Sequence, residues 1–373
     1  MVVALQERDS RYDRHFSLAE IGPDGQRRIS AARALIIGAG GLGSPAALYL
    51  AAAGCGTIGI ADDDRVELSN LQRQILFDTA QVGAEKATAA RARLLALNPE
   101  IRVLAHVQTI NAASALRILE NYDVVIDGTD RLAARYLIND ACVLLGKPLI
   151  TAAVHRFEAQ ALTYVPGAGP CYRCLFPSRA DSAAAIPSCA DAGVLGALPG
   201  VMGSIQAIEA IKLIVGTGQL LTGRLLIYDA LAMRFDELRV ARRRDCEVCG
   251  EHPSITGLET MASEIRRLSA REVQALIEQA RRDNKPLALV DVREPREYVG
   301  GHLDGSLHIP IGELRRRIDE VPRDRPAVFI CRSGGRSLTA CQIAQAAGIV
   351  APANLEGGLR AWSREIDPTL VVV

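Results

Sequence analysis

Several features are scarce in this 373-residue chain, and each scarcity excludes a class of protein. Basic residues do not outnumber acidic ones: 43 of each give a formal net charge of zero, with 26 of each before Glu251 and 17 of each from there on. Neither part therefore has the basic excess that nucleic-acid binding requires. The N-terminal residues lack the apolar core of a signal peptide, and no apolar run is expected to reach membrane-spanning length. With no internal repeat or low-complexity tract either, we expect a soluble, cytoplasmic protein.

What the chain does contain is enough apolar sequence for two or three domains, since hydrophobic residues make up 49% of it. It also has nine cysteines, an odd number. In a long chain without a secretion signal, such cysteines indicate metal ligands and reactive thiols more often than disulfides.

One stretch, Ala34 to Gly54 (ALIIGAGGLGSPAALYLAAAG), has the pattern of a nucleotide-binding turn. Residues 34–38 predict a buried parallel strand, and residues 44–53 predict a helix. Between them the backbone must bend sharply and lie close to a ligand, which glycine allows without strain; the glycines are Gly38, Gly40, Gly41 and Gly43. A strand, a glycine turn and a helix N-terminus together present backbone N–H groups to phosphate.

The next predicted strand, Thr57–Ala61, ends at Asp62, which lies 19 residues after Gly43. A carboxylate that binds ribose hydroxyls is expected at this spacing. Alone, the pattern favours an NAD or FAD dehydrogenase, and a chance glycine-rich turn is an alternative.

The segment after Asp62 favours a different chemistry, because it concentrates cations and hydrogen-bond donors beside the phosphate turn. Polyphosphate reactions need such groups to neutralise charge on the leaving group. Lys86 has extra weight because the chain has only four lysines against 39 arginines. A surface helix with ordinary solvated charges is the alternative. The candidate residues are Ser69, Asn70, Gln72, Arg73 and Lys86.

A further strand, Asp123–Asp127, places two carboxylates, Asp127 and Asp130, at or just beyond its C-terminal end. In an open α/β sheet this edge is the ligand crevice. A carboxylate there that faces nucleotide phosphates is a candidate magnesium ligand.

Two CxxC pairs form the strongest metal signal. Cys171 and Cys174 make the first pair, and Cys246 and Cys249 follow after 71 intervening residues. Four thiolates match the closed tetrahedral site of structural zinc, which leaves no open position for catalysis. A redox CxxC is the alternative, and the presence of two pairs argues against it.

Between the pairs, Cys189 precedes a glycine-rich segment and a predicted helix of roughly 16 residues from Pro199, apolar nearly all round and therefore expected to be buried. A lone cysteine is more often inert packing than a nucleophile. The polar, glycine-rich neighbours of Cys189 favour an accessible loop instead.

In combination these residues resemble the MoeB/ThiF family of E1-like enzymes, which adenylate the C-terminal glycine of ubiquitin-like sulfur carriers. The resemblance covers nearly all of residues 1–250. It rests on an ordered set of motifs: RYDRH, GAGGLG, DDDRVELSNLQRQ, GAEKA, DGTD, both CxxC pairs and SCADAGVLG.

The resemblance implies a Rossmann-like α/β adenylation domain with roles at matching positions. Arg14 would reach the nucleotide phosphates of the partner subunit in a homodimer, the four CxxC cysteines would bind zinc, and Cys189 would be the thiol that captures the activated acyl group. His15 and Arg131 depart from the family pattern, and Arg131 puts only the local contact beside the magnesium site in doubt. ATP and its magnesium would be held by Gly41, Asp62, Ser69, Asn70, Gln72, Arg73, Lys86 and Asp130.

After a predicted linker, residues 251–264, a capping box at Ser269 opens the C-terminal part of the chain. The predicted strand Ala327–Ile330 ends at Cys331, which enters a glycine-rich loop before a helix predicted from Ser337. Loop N–H groups and the helix dipole favour a thiolate there, and Arg332 and Arg336 would add to this.

Residues 265–373, from about Ile265 to Thr369, resemble a single rhodanese domain, a smaller α/β fold, on the motifs DVREPREY, GHLDGSLHIP, CRSGGRS and NLEGGLRAW. The resemblance implies a persulfide on Cys331. A related phosphatase class separates its cysteine and arginine by five residues, whereas four separate Cys331 and Arg336 here, so the loop is expected to be too tight for a phosphate ester.

Together the two resemblances imply two successive reactions. A sulfur carrier ending in Gly-Gly would be adenylated with ATP and magnesium, and the Cys331 persulfide would then convert it to a thiocarboxylate. The carrier (for molybdopterin, thiamin, cysteine or tRNA thiolation) and the sulfur donor (a cysteine desulfurase or thiosulfate) stay open. Alternatives are a nicotinamide dehydrogenase, a stand-alone thiosulfate sulfurtransferase on an inert scaffold, and a pure scaffold for carrier proteins.

Overall fold

A computed structural model describes residues 11–177, 193–258, 265–283, 287–349 and 351–372. These residues form two compact units. The first contains the described residues up to 258, and the second contains those from 265 onward. Each unit has a sheet and hydrophobic cores of its own.

The first unit is built on an eight-stranded sheet. Its strands are β1 (Arg33–Ile37), β2 (Thr57–Ala61), β3 (Arg102–His106), β4 (Val124–Asp127), β5 (Leu149–His155), β6 (Glu158–Tyr164), β7 (Arg224–Asp229) and β8 (Arg234–Arg239). Their order across the sheet is β3-β2-β1-β4-β5-β6-β7-β8. Pairing is parallel from β3 to β5 and antiparallel from β5 to β8.

Helices connect these strands. The numbered helices are α1 (Gly22–Ala31), α2 (Gly43–Ala52), α3 (Lys86–Leu97), α4 (Ala112–Leu119), α5 (Leu132–Leu144), α6 (Tyr172–Leu175) and α7 (Ala197–Val215). Residues 11–16 are also helical, and short 3₁₀ helices span Leu68–Asn70 and Thr79–Gln81.

The strand order places the candidate site at one edge of the sheet. The chain runs from β1 to β2 on one side and later returns to β4 on the other, so the C-terminal end of β1 is a topological switch point. In the register, Ile37 pairs with Ala61 on one side and with Asp127 on the other. The residues that follow these three strands therefore meet at the same edge.

Helix α7 begins two residues before the predicted Pro199 and is less buried than expected. The helix has 19 residues, and by length and composition alone it could span a membrane. It is also only half buried: one face packs against α2, β5 and β6, while Val201 and Ile208 are 37% and 54% exposed. Its packing against the sheet makes it a core helix of this unit.

The second unit is built on a five-stranded parallel sheet with the order β11-β10-β12-β13-β9. Its strands are β9 (Arg266–Leu268), β10 (Ala288–Asp291), β11 (Leu307–His308), β12 (Ala327–Ile330) and β13 (Ala353–Leu355). Its helices are α8 (Ala270–Arg282), α9 (Pro295–Val299), α10 (Ile311–Leu314), α11 (Gly335–Ala346) and α12 (Gly358–Glu365), with a 3₁₀ helix at Ile318–Glu320.

Several local predictions for this unit are confirmed. The Ser269 capping box opens α8, because its hydroxyl accepts from the Glu272 N–H while the Glu272 carboxylate accepts from the Ser269 N–H. Strand β12 has the predicted bounds, and all four of its residues are buried. Cys331 follows it directly, and α11 begins two residues before the predicted Ser337.

The first residues of the predicted linker, 251–258, belong to the first unit. The Ile255 N–H donates to the Glu247 carbonyl at 2.8 Å, and Leu258 is buried. These contacts tie the start of the segment to the neighbourhood of the second CxxC pair.

Candidate active sites and metal centre

The turn after β1 needs glycine for steric reasons. Gly38 has a φ of +90°, in the left-handed region. A Cβ on Gly43 would collide with the Gly38 carbonyl oxygen. The turn therefore closes tightly and brings the N-terminus of α2 to the C-terminal edge of the sheet.

Asp62, at the end of β2, braces this turn. Its carboxylate accepts from the Ala39 N–H at 2.7 Å and from the Asp64 N–H at 2.9 Å. Burial raises the pKa of Asp62, and the nearby Lys86 ammonium opposes that rise. Because a carboxylate has about four acceptor positions, Asp62 retains capacity for ribose hydroxyls.

The segment after Leu68 brings amide side chains and an arginine to the turn. Asn70 and Gln74 are buried, and the side-chain oxygen of each has no hydrogen-bond partner among the described residues. Arg73 lies between them, and its Cγ would be 3.4 Å from a Cβ on Gly41. Buried polar atoms without partners are rare, so these orphaned oxygens indicate a place where a polar ligand binds.

Two further candidates on this segment lie at its surface. The Ser69 hydroxyl donates to the Glu67 carboxylate at 3.2 Å. Gln72 is exposed, and a Cβ on Gly196 would collide with it, so it lies against the start of α7. Arg73 donates to the Ser69 carbonyl at 3.2 Å, which links the segment together.

Lys86 begins α3, and its side chain is buried. Its ammonium is 3.1 Å from a carboxylate oxygen of Asp64, whose side chain is largely exposed. The Lys86 ammonium therefore lies close enough to Asp62 to interact with its carboxylate.

The loop after β4 corrects the sequence analysis at Asp127. This carboxylate is fully buried and accepts from the Thr129 N–H, the Thr129 hydroxyl and the Thr151 hydroxyl at 2.7–2.9 Å. It also pairs with the buried Arg135 at 3.1 Å. Asp127 therefore serves the structure and is not available to magnesium. Asp130 is exposed and has no hydrogen bond or ion pair within the described ranges.

Arg131, which departs from the family pattern, is positioned by the first turn of α5. Its guanidinium lies 3.8 Å from a carboxylate oxygen of Asp63, at the end of β2. Sequence reasoning did not single out Asp63 or Arg135. The neighbouring acidic residues and the buried arginine on α5 gave no signal that distinguished them from solvated charges.

Arg14 lies on the helical segment of residues 11–16. Tyr12 anchors this segment, since its ring is buried and its hydroxyl accepts from the Asn98 amide at 2.9 Å. His15 is 2.7 Å from the Gln26 side-chain oxygen, so it too has a structural contact. Arg14 is exposed, with no ion pair in the part of the chain that the structure describes.

The four CxxC sulfurs lie together although the pairs are far apart in sequence. The sulfur of Cys171 is 4.0 Å from that of Cys174 and 3.6 Å from that of Cys246, and the Cys174 and Cys249 sulfurs are 3.4 Å apart. Tetrahedral zinc with bonds of about 2.3 Å places its sulfurs about 3.8 Å apart. The donor set and spacing therefore fit a structural zinc ion.

Cys331 is fully buried at the end of β12. Its sulfur accepts from the Gly334 N–H at 3.1 Å and from the Ser337 hydroxyl at 3.2 Å. Ser337 was not expected to contact this sulfur, although its place in the first turn of the helix that follows the loop is visible in the motif. Two hydrogen-bond donors thus point to the sulfur that is predicted to carry the persulfide.

The arginines near Cys331 contribute less charge than expected. Arg336 makes two hydrogen bonds to the Glu297 carboxylate, at 2.6 and 2.7 Å, and this pairing lowers the pKa of Glu297. The positive charge of Arg336 is therefore balanced by a partner on α9 that the sequence did not reveal. Arg332 is exposed.

The first turn of α12 orients the Cys331 loop. The Leu359 N–H donates to the Cys331 carbonyl at 2.8 Å, and the Arg360 N–H donates to the Arg332 carbonyl at 3.1 Å. A Cβ on Gly358 would collide with this backbone, so the two segments are in close contact. The loop carbonyls are thereby held by α12, which explains the GG of the NLEGGLRAW motif. Cys189 lies outside the described residues, so its role stays a prediction.

Comparisons with known proteins match a family in each of the two units. The sequence profile of the ThiF family matches residues 12–248. The chain belongs to the ThiF family. The profile of the rhodanese-like domain matches residues 269–365 of this ThiF-family chain. The predicted α/β fold class, with an E1-like and a rhodanese part, is confirmed.

Similar proteins combine both activities in their names. The adenylyltransferase and sulfurtransferase MOCS3 of Aedes aegypti is 40% identical, over 96% of this chain and 87% of its own length. The probable adenylyltransferase/sulfurtransferase MoeZ of Mycobacterium tuberculosis is also 40% identical, over 98% and 96%. This ThiF-family chain is accordingly an adenylyltransferase and a sulfurtransferase, as predicted.

Solved structures resemble the adenylating part. Escherichia coli MccB crystallised with ATP has a TM-score of 0.54 and 26% identity, over 61% of this chain and 68% of that one. MccB with MccA-N7isoASN has a TM-score of 0.57 at the same identity, over 65% of this chain and 74% of that one. The ThiF-family fold seen here is thus one that accommodates a nucleotide.

Proposed function

We propose that this enzyme adenylates the C-terminal carboxylate of a ubiquitin-like sulfur carrier ending in Gly-Gly and then exchanges AMP for sulfur from a persulfide on Cys331. One observation supports this most: a glycine turn with Arg73, Lys86 and Asp130 around it shares a chain with a hydrogen-bonded Cys331. We assign adenylation to residues 1–250, a linker to 251–264, whose first residues pack on the first unit, and the rhodanese domain to 265–373.

The residues around the turn fit ATP. Backbone N–H groups at the N-terminus of α2 and the cations Arg73 and Lys86 would hold the phosphates, and Asp62 would accept from the ribose. The orphaned oxygen of Asn70 supports a polar ligand beside them. Gly41, Ser69, Gln72 and Arg131 complete the proposed nucleotide site.

Magnesium would be held by Asp130, whose carboxylate is exposed and has no partner within the described residues. When bound, the ion would neutralise charge on the phosphates and orient them. Zinc would be held by the four CxxC cysteines and would join the two ends of the long insert between them.

In the first reaction a carboxylate oxygen of the carrier attacks the α-phosphorus of ATP. The bond from that phosphorus to the bridging oxygen breaks, and pyrophosphate leaves with the charge that Arg73, Lys86 and the partner's Arg14 stabilise. The product is an acyl-adenylate, whose AMP is a far better leaving group than the original carboxylate oxygen.

In the second reaction the outer sulfur of the Cys331 persulfide attacks the acyl carbon, and AMP leaves. This gives an acyl disulfide on Cys331. The Cys189 thiolate then attacks the Cys331 sulfur, which releases the thiocarboxylate and forms a Cys189–Cys331 disulfide, and an external dithiol reduces it. In the other order, Cys189 first takes the acyl group as a thioester. The sulfane sulfur comes from a cysteine desulfurase or from thiosulfate.

We also propose a cytoplasmic homodimer in which Arg14 acts on the nucleotide of the other subunit. Arg14 is exposed and lacks a carboxylate partner in the described part of its own chain, which suits a role outside it. The exposed apolar residues Val201 and Ile208 of α7 are consistent with a covered face in the assembly.

The test supplies the purified enzyme with ATP, magnesium, a sulfur donor and a Gly-Gly-ended carrier. We expect pyrophosphate release that depends on the carrier, and a mass change of the carrier equal to the replacement of one oxygen by sulfur. The matched control is the same carrier without its terminal Gly-Gly. Thiosulfate sulfurtransferase activity without any ATP-dependent change of the carrier would contradict the proposal.

A further inference from the structure

Each CxxC pair contains a charged residue between its cysteines, and these two residues pair with each other. Arg173 lies in the first pair and Glu247 in the second, and the guanidinium is 3.0 Å from the carboxylate. The Arg173 side chain is only 5% exposed, so its charge is not solvated. The two cysteine pairs are therefore joined by an ion pair as well as by their sulfurs.

The same arginine is held by a fully buried carboxylate on α5. Arg173 donates through Nε and Nη2 to the two oxygens of Asp140, both at 2.6 Å. Burial raises the pKa of Asp140, and the Arg173 pairing acts in the opposite direction. A parallel two-bond pair fixes the plane of the guanidinium as well as its distance.

Helix α5 holds the first cysteine pair through two further contacts. The Asn139 side-chain oxygen accepts from the Tyr172 N–H at 2.8 Å, next to Cys171. The Arg173 guanidinium lies over the Tyr136 ring, 4.7 Å from its centre. The first pair is thus docked on α5 in one orientation, and Arg173 carries that orientation across to Glu247.

We propose that Asp140 and Arg173 are positioning residues for the metal: they hold both cysteine pairs on α5 so that the four sulfurs lie at ligand spacing. Cysteines that are already held at ligand spacing do not have to be ordered when the metal binds. Such a site also opens less often, so the metal is released more slowly. The role needs both the charge and the planar shape of the Arg173 guanidinium. A lysine would keep the charge, but its single ammonium lacks the planar fork that bonds both oxygens of Asp140. The proposal rests on zinc as the metal, and it does not depend on the carrier or on ATP.

The experiment measures zinc in the full-length enzyme and then its rate of release to an excess of a chromogenic chelator. Asp140→Asn and Arg173→Lys are expected to release zinc about 10- to 100-fold faster than the wild type. Glu247→Gln changes the other carboxylate partner of Arg173, which is partly exposed, and is expected to have a smaller effect in the same direction. Asp245→Asn is the matched control, because Asp245 pairs with Arg243 at the surface beside the same cysteine pair.

Thermal unfolding of each zinc-loaded variant checks that it is folded. If Asp140→Asn does not fold, Arg173→Lys and Glu247→Gln still decide the matter. Wild-type release rates in folded Asp140→Asn and Arg173→Lys would overturn the proposal. So would equal acceleration in Asp245→Asn, or a purified wild type without zinc. The zinc-release experiment does not depend on pyrophosphate release, so failure of the proposed function would not produce any of these results.

Discussion

Arg14 and Arg73 at the nucleotide site differ from Arg336 at the sulfur site in whether a carboxylate balances their charge. Arg14 and Arg73 have no carboxylate partner among the described residues, and Arg73 donates only to a backbone carbonyl. Arg336, by contrast, is paired through two hydrogen bonds with Glu297. Arg14 and Arg73 are therefore available to an anion, whereas the charge of Arg336 is balanced. The other two cations of the nucleotide site, Lys86 and Arg131, have exposed or partly exposed carboxylates nearby.

The difference corresponds to the charge that each site has to stabilise. A nucleotide carries several negative charges, and pyrophosphate release increases the charge on the leaving group, so unpaired cations lower the barrier. A single sulfur carries less negative charge and needs less stabilisation by cations. The Gly334 N–H and the Ser337 hydroxyl already donate to the Cys331 sulfur, which is buried. Hydrogen bonds from neutral donors are stronger in such an interior than in water.

The largest expected effect removes the available charges at the nucleotide site. Arg73→Ala and Asp130→Ala should each lower carrier-dependent ATP–pyrophosphate exchange at least about 100-fold. Persulfide formation on Cys331, measured by alkylation and mass spectrometry, should stay at the wild-type level. Arg27→Ala removes an exposed arginine of α1 and is the control. Loss of persulfide formation in the Arg73 variant would show that the two sites do not act independently.

A tenfold effect is expected at the sulfur site. Ser337→Ala removes one of the two donors to the Cys331 sulfur and should slow sulfur transfer about tenfold, the value of one hydrogen bond to a charged group. Exchange of pyrophosphate should not change. Thr339→Ala, on the same helix, is the control because its hydroxyl contacts only a helix carbonyl. Equal rates for Ser337→Ala and wild type would show that the hydroxyl does not act on the sulfur.

The smallest effect is expected from a variant that leaves Arg336 without its carboxylate partner, as Arg14 and Arg73 are at the nucleotide site. Glu297→Gln removes the negative charge that balances Arg336, so the guanidinium can attract an anionic donor. We expect kcat/KM for thiosulfate to rise about three- to tenfold, since charged hydrogen bonds to exposed groups have modest energies. Glu313→Gln, which breaks the Arg317 pair in the same unit, should leave it unchanged. A fall in kcat/KM would show that the pair supports the loop instead.

The sequence predicted what depends on local pattern. The bounds of β2 and β12 match the expected Thr57–Ala61 and Ala327–Ile330, because short apolar runs flanked by loop residues mark buried strands. The four zinc-ligand candidates were also found from spacing alone. In each case the signal lies within a few neighbouring residues.

Contacts between distant residues were not predictable in this way. Glu297 and Arg336 are 39 residues apart, and Arg173 and Asp140 are 33 apart. Nothing local distinguishes these charges from solvated ones. Asp127 was considered for magnesium because it ends a strand, whereas its use depends on Thr151 and Arg135 from two other elements.

Composition also failed to show which side of a helix is buried. α7 is apolar nearly all round, which predicts burial, but only one face packs against the sheet. Val201 and Ile208 lie on the exposed side. Hydropathy reports how apolar a helix is and leaves open what covers each face.

The most direct test of two separate reactions on one chain uses Cys331→Ala. In this variant we predict carrier-dependent ATP–pyrophosphate exchange at the wild-type rate, together with complete loss of the carrier thiocarboxylate. Cys341→Ala, which replaces a buried cysteine on α11, is the matched control and should retain both activities. Loss of exchange in Cys331→Ala, or thiocarboxylate still formed by it, would contradict the division of labour between the two sites.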